Sequence, residues 1–308
     1  MDSEGTLPRF EGTGSQRLAF SDLDQRFELK IRGFIEAAMP PIFNALEKEF
    51  SLFQLRQEGI APIMFYLDFE ATPMRAAFGR PIESENKITL RSHIRPNRSG
   101  GTESRLIMDM EAELFAFAGR SGEGDLGYEP EKGPRMKAGS VRVLQVLTRP
   151  TAPKGERNLS EVPGPLKRLS LHNWEGEFPV IETIHTNPEG FIEVTETSVN
   201  NFRSVWGLPN TDINQHVNVQ EYIRGSEDHL SRHLYGAGLA VALHRINRAQ
   251  LLFRKPFFPG RPYGILAKLF TKGSETVYLG GFYEVSEEGA LAEQPNIVVR
   301  MDGIIRES

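Results

Sequence analysis

A chain of 308 residues with 39% hydrophobic content can bury a sizeable core and falls between one large domain and two of ordinary size, of which two is the expectation. Its net charge of −5, with 36 Lys and Arg scattered rather than gathered into blocks, leaves no electrostatic footprint for nucleic acid. The count of cysteines is zero, which removes disulfides, thiolate metal sites and a cysteine nucleophile together and fits a reducing compartment. The stretch MDSEGTLPRFEGTGSQ is polar and lacks the apolar run of a secretory signal, and no window nears the roughly 18 apolar residues of a membrane span, so the expected address is the cytoplasm.

Between Phe27 and Gln57, Phe27, Ile31, Phe34, Ile35, Ala38, Ile42, Leu46 and Phe50 recur at helical spacing and predict a helix. An interruption is expected at Pro40-Pro41, because proline removes a donor and disfavours the helical state of the residue before it. Four extended runs follow: PIMFYLDFE, NKITLRSHI, SRLIMDMEAELFAFA and SVRVLQVLTR. They are broken by NRSGG and GRSGEGDLGYEPEKG, which are turn chemistry.

From about Pro150 to Gly190 the texture turns to Pro, Gly and charge, with only a short VIETI run, and reads as a linker or insertion. An extended stretch, FIEVTETSVNNFRSVW, then leads to a helix expected from Val219 to Leu234, with Val219, Tyr222, Ile223, Leu230 and Leu234 inward. Four more strands close the chain: INRAQLLFRKPFF, YGILAKLFTKG, TVYLGGFYEVS and NIVVRMDGII.

One helix followed by four strands therefore occurs twice, which prompts a search for an internal repeat. SDLDQRF at 21–27 lies over TDINQHV at 211–217, and FGRPI at 78–82 lies over PGRPY at 259–263. The expected division is an N-terminal unit over 1–150, a linker over 151–190 and a C-terminal unit over 191–308.

The stretch TDINQHVNVQEY carries the chemistry. Asn218 with Glu221 has the form of a capping box, which starts the helix near Val219. If the feeding segment is extended, alternation puts Asp212, Asn214 and His216 on one side of it. A carboxylate, an amide and an imidazole beside free helix-start N–H groups make a workable hydrolytic site, with the N–H groups as oxyanion donors. Asp and Asn before a helix are also ordinary caps and turn formers, so these residues alone leave both readings open.

TDINQHVNVQEY resembles the D-x-N-x-H-V-N stretch of acyl-ACP thioesterases and related acyl-CoA thioesterases of the hotdog superfamily. The resemblance implies an α+β chain, a tandem double hotdog, in which each unit is a long helix wrapped by an antiparallel sheet. It implies that Asp212, Asn214 and His216 are the catalytic cluster, that Asn218 supports the turn, and that the second unit carries the site. The plant-type members of that family place a glutamate in a strand stretch similar to FRKPFFPG at 253–260, where this sequence has Lys255, Pro256 and Phe257. Gln250 is the nearest polar side chain upstream and can position a water but cannot act as a base. In the first unit, SDLDQRF has Asp24 in place of Asn214 and Arg26 in place of His216. It therefore reads as a degenerate copy, with a second acidic site at Asp22 and Asp24 left open.

Other features carry less. His229 and His233, four apart beside Glu227 and Asp228, read as a solvated helix face with its cations toward the carboxyl end rather than as a metal pair. The loop GRSGEGDLG lacks the Lys-Ser or Lys-Thr of a phosphate loop and reads as a hairpin connection. Arg254, Lys255 and Arg261 suit the mouth of a site that admits phosphopantetheine, and equally an ordinary surface.

The expectation is a cytoplasmic thioester hydrolase acting on a fatty or polyketide-like acyl group borne by an acyl carrier protein or CoA, without cofactor or metal, as a monomeric pseudo-dimer or a homodimer. The rivals are dehydration, isomerisation or cyclisation of a carrier-bound acyl group, and an acyl-binding module without catalysis.

Overall fold

The structure is a computed structural model that describes residues 9–19, 22–24, 28–49, 51–77, 79–96, 102–119, 133–153, 155–159, 161–212 and 215–307. Two compact units emerge: Met1–Leu29, Gly33–Leu67 and Thr72–Glu177 form one, and Lys30–Arg32, Asp68–Ala71 and Phe178–Ser308 form the other. The turns NRSGG and most of GRSGEGDLGYEPEKG lie outside the described residues, as do Phe27, Phe50, Arg26 and Asn214.

The N-terminal elements are β1 (Arg9–Arg17), α1 (Ile31–Glu49), α2 (Leu52–Gln57), β2 (Ala61–Ala71), β3 (Pro81–Pro96), β4 (Thr102–Phe117), β5 (Arg135–Thr148) and β6 (Leu171–Asn173). Their sheet runs β1-β3-β4-β5-β2, antiparallel from β1 to β5, with β6 parallel to β3 at Leu90–Ser92. Strand β1 is an addition to the sequence expectation, because RFEGTGSQR offers no alternation of apolar and polar residues to mark it.

Helix α1 runs unbroken through Pro40 and Pro41, contrary to the expected interruption. Ile31, Phe34, Ile35, Ala38, Ile42 and Leu46 are all buried, so one apolar stripe is anchored on both sides of the prolines. Burial at that scale, roughly 1.5–3 kcal/mol per large aliphatic side chain, outweighs the backbone bonds that two prolines delete. The chain breaks later, before α2, where Ser51 takes the N-cap and accepts from Gln54 N–H at 3.4 Å.

The C-terminal elements are α3 (Ile181–Ile184), β7 (Ile192–Glu193), β8 (Arg203–Val205), α4 (Val219–Gly236), β9 (His244–Phe253), β10 (Pro262–Lys272), β11 (Glu275–Glu284) and β12 (Ile297–Ile305). Strands β9-β12-β11-β10 form an antiparallel sheet, and β7 and β8 both pair with β10. Helix α4 packs one face inward, burying Tyr222, Ile223, Ser226, His229, Leu230, His233 and Leu234, while Val219 is half-buried. Its approach to the sheet is close at Gly225, where a Cβ would stand 3.3 Å from the Phe282 ring.

The expected extended run over 191–206 is mostly something else. Thr197–Asn201 is a 3-10 turn capped by the Glu196 side chain, and strand survives only at β7 and β8. The Asn200 amide replaces strand pairing here: it donates to Ala267 O at 3.0 Å and accepts from Ala267 N–H at 2.8 Å, holding the turn against β10. Among the described residues, no helix is long and apolar enough to cross a membrane.

Candidate active site

The segment entering α4 is built from its anchors. Trp206 is buried and stacks on Tyr263 with ring centroids 3.9 Å apart, and its carbonyl accepts from Gly260 N–H at 2.8 Å. A 3-10 turn, Leu208–Asn210, follows, in which the Asn210 side-chain oxygen accepts from Gly207 N–H at 2.8 Å. Thr211 then bridges Val217. Inside that bridge Asp212 N–H donates to His216 O at 2.8 Å, His216 N–H to Asp212 Oδ1 at 3.2 Å, and Gln215 N–H to Asp212 O at 2.9 Å. At the base, Asn218 N–H donates to Asn210 O at 2.8 Å.

Thr211 and Asp212 are thus folded back on Gln215, His216 and Val217, contrary to the extended segment expected from alternation. Gln215 lies in the left-handed region at φ 61°, which reverses the chain. The turn still brings two of the predicted residues together: Asp212 and His216 stand opposite each other as cross-turn partners, the first exposed and the second half-buried. Asn214 lies outside the described residues. Edge-on against the His216 ring, at 5.2 Å and 81°, is the ring of the exposed Phe258. Behind the turn Tyr222 is buried, and its phenol pKa is pushed up by that burial, with the charge of Asp212 adding to the rise.

Asn218 is the N-cap of α4, its side chain accepting from Gln220 N–H at 3.1 Å and its carbonyl from Glu221 N–H at 3.0 Å. The other half of the expected box is not made. The Glu221 carboxylate instead accepts from the Asn210 amide at 2.8 Å and pairs with Arg224, because Asn218 N–H is already committed to Asn210.

The remaining predicted residues sit on β9 and the loop after it. Gln250 donates to Asp68 Oδ2 at 3.2 Å, beside the two-pronged bond from Arg248 to the same carboxylate. Arg254 donates to Pro295 O at 2.6 Å and to the Gln294 side chain, which ties its guanidinium to the loop before β12. Lys255 is exposed, and Phe257 is fully buried with its carbonyl accepting from Val217 N–H at 3.0 Å. The stretch where the resembled family keeps a glutamate therefore serves here as an aromatic anchor for the turn.

A second turn of the same build precedes α1. Leu23 bridges Leu29, Asp24 N–H donates to Glu28 O at 2.8 Å, and Glu28 N–H donates to Asp24 Oδ1 at 2.9 Å, two residues before the helix begins at Ile31. These bonds match those of Thr211, Val217, Asp212 and His216 before Val219. The repeat is real but displaced by two residues from the sequence overlay: Asp24 corresponds to Asp212, and Glu28, not Arg26, occupies the place of His216. The overlay followed the shared Asp and Gln letters, whereas the backbone bonds count from the helix start.

His229 and His233 overturn the reading of a solvated face. They are 2% and 0% exposed. His229 Nε2–H donates to Val199 O at 3.2 Å while its Nδ1 accepts from the Tyr278 hydroxyl at 3.2 Å, and His233 Nδ1 accepts from Glu196 N–H at 3.2 Å. Burial, as the main cause, pushes the pKa of His229 down to about 4 and lowers that of His233, so both are neutral packing groups. Their spacing from Tyr222 and Ser226 was the available signal, and their polarity masked it. Among the described residues no group of three or more His, Asp or Glu is placed to hold a metal ion.

Comparison with solved structures gives the fold. A chain of Lactobacillus plantarum assigned as an oleoyl thioesterase matches with a TM-score of 0.61 at 9% identity, over 98% of both chains. An acyl-ACP thioesterase from Bacteroides thetaiotaomicron matches at 0.55 and 14% identity, and the 12:0-ACP thioesterase from Umbellularia californica at 0.56 and 11%, each over 98% of this chain and 100% of its own. The chain is similar in fold to these hotdog thioesterases along almost its whole length. No family model matches the sequence, and neither does any curated protein.

Proposed function

We propose that this chain is a tandem double-hotdog thioester hydrolase that releases an acyl group from an acyl carrier protein or CoA. The reading is carried by one observation: Asp212 faces His216 across a turn at the start of α4, in a chain whose fold matches acyl-ACP thioesterases end to end. Asp212 activates water or attacks the carbonyl, and His216 and Asn214 orient the reactants. For the oxyanion we assign Val219 N–H. The amides of Gln215, His216, Val217, Asn218, Gln220 and Glu221 are each engaged by a protein acceptor, so the helix start has little else to offer. Arg254 and Lys255 are proposed to support the carrier arm near this mouth, and Gln250 to position a water. The cytoplasm is proposed from composition alone.

A screen of acyl-CoA chain lengths, read by free-thiol release, tests this directly. Asp212→Ala and His216→Ala are expected to lower turnover by on the order of a hundredfold or more, the worth of an acid-base group. Full turnover in either variant would sink the assignment. The Lys255, Pro256 and Phe257 stretch, in place of a glutamate, favours a second reading: dehydration, isomerisation or cyclisation of an acyl group that stays on its carrier. Mass spectrometry of a charged carrier after incubation separates the two, since hydrolysis frees the acid. An acyl-binding module would bind and turn over nothing.

A further inference from the structure

We infer that Asn210 and Glu221 form a positioning tie that sets the Asp212–His216 turn for catalysis, an inference that rests on the hydrolase reading above. Asn210 is the hub of the turn's base. Its side-chain oxygen accepts from Gly207 N–H at 2.8 Å, its carbonyl accepts from Asn218 N–H at 2.8 Å, and its amide donates to Glu221 Oε2 at 2.8 Å. The same carboxylate oxygen accepts from Arg224 Nε at 3.1 Å, which holds Glu221 from the next turn of α4. The turn is therefore fixed to the helix axis by a side-chain bridge as well as by backbone.

The N-terminal copy shows what the bridge is not needed for. There Asp22 stands where Asn210 stands: Asp22 Oδ2 accepts from Ala19 N–H at 2.6 Å, as Asn210 does from Gly207. Gly33 stands where Glu221 stands, and a Cβ there would lie 2.4 Å from Asp22 Cβ. A carboxylate cannot donate and a glycine cannot accept through a side chain, so that copy makes no such tie, yet it forms the same cross-turn bonds. Folding of the turn does not require the bridge. In the copy the turn lies directly on the helix, whereas in the C-terminal unit an amide and a carboxylate are interposed between them. The interposed pair is found beside His216, and the direct packing beside Glu28.

The test uses the full chain and two readouts, hydrolysis kinetics on acyl-CoA and hydrogen exchange of the amides from 211 to 218. Asn210→Ala and the double variant Asn210→Asp with Glu221→Gly, which copies the pair the N-terminal turn folds with, are expected to lower kcat by about tenfold to a hundredfold through misplacement of the reacting groups. KM should stay within about twofold, and exchange over 211–218 should quicken. Glu221→Gln keeps an acceptor for Asn210 and should recover most of the rate that Glu221→Ala loses. Asn210→Asp alone puts two carboxyls within bonding distance, where they share a proton at low pH. Its kcat relative to the wild type should therefore rise as pH falls, a response that simple packing does not give. Unchanged kcat in Asn210→Ala, a change confined to KM, or unaltered exchange over 211–218 overturns the tie. A wild type that hydrolyses no thioester refutes the hydrolase reading and with it any catalytic use of the tie, while the exchange data still judge the tie itself.

Discussion

His216 stands opposite Asp212 on a turn whose other copy closes with Glu28 in the same place. The backbone bonds that make the turn accept either side chain, so the imidazole is not explained by folding. The other histidines of the C-terminal unit are explained by packing. His229 is buried and His244 half-buried, each with its pKa pushed down to about 4, in both cases chiefly by loss of water, and His185 and His233 are lowered in the same direction. Folding thus holds these rings neutral, while the unfolded chain protonates them below about pH 6.5. Their contribution to stability is complete above pH 6.5 and is lost as pH falls toward 4, because the unfolded state then binds more protons. His229 and His244 alone should make unfolding near pH 5 take up about two more protons than at pH 7.5, read as the slope of unfolding free energy against pH. A flat profile over that window would show that the rings are not held neutral. Spacing alone could have placed His229 and His233 inside, but no sequence pattern distinguishes a buried imidazole with a carbonyl partner from an exposed one.

At the scale of elements, the start of α4 was legible, while the first helix begins at Ile31 rather than near Phe27 because a turn closed by Leu23 and Leu29 precedes it. Asn218 was identified as the cap of α4 from its residue type and from the apolar spacing after it, and it caps as expected. Asn218→Ala should cost about 0.5–2 kcal/mol of stability, and Asn218→Asp much less, as thermal unfolding of the two variants would reveal. Equal stability in both would mean that the side-chain bond to Gln220 contributes nothing. Glu221 shows the limit of local rules, since its capping role depends on Asn218 N–H being free, and that group is taken by Asn210. The prolines of α1 make the same point in reverse, because their cost is local while the buried stripe that overrides it is assembled by the whole unit.

On the scale of the whole molecule, the chain forms two compact units whose main boundary falls between Glu177 and Phe178, and a turn of one pattern precedes each long helix. The N-terminal turn presents Asp24 and Glu28 without an imidazole. Asp24→Asn and Glu28→Gln are therefore expected to leave acyl-CoA turnover within about twofold of the wild type, whereas Asp212→Ala is expected to remove most of it. A tenfold loss in either N-terminal variant would place chemistry in both turns.

The sequence by itself determined the two long helices, most of the strands and the cap residue Asn218. Those follow from hydrophobic period and cap chemistry, which act over a few neighbouring positions. Only the tertiary structure decided the register of the repeat, the burial of His229 and His233, the unbroken α1 and the tie from Asn210 to Glu221. Each of these depends on a partner or an anchoring surface supplied by other parts of the chain, and a hydrogen-bond donor can be assigned only once its competitors are in place.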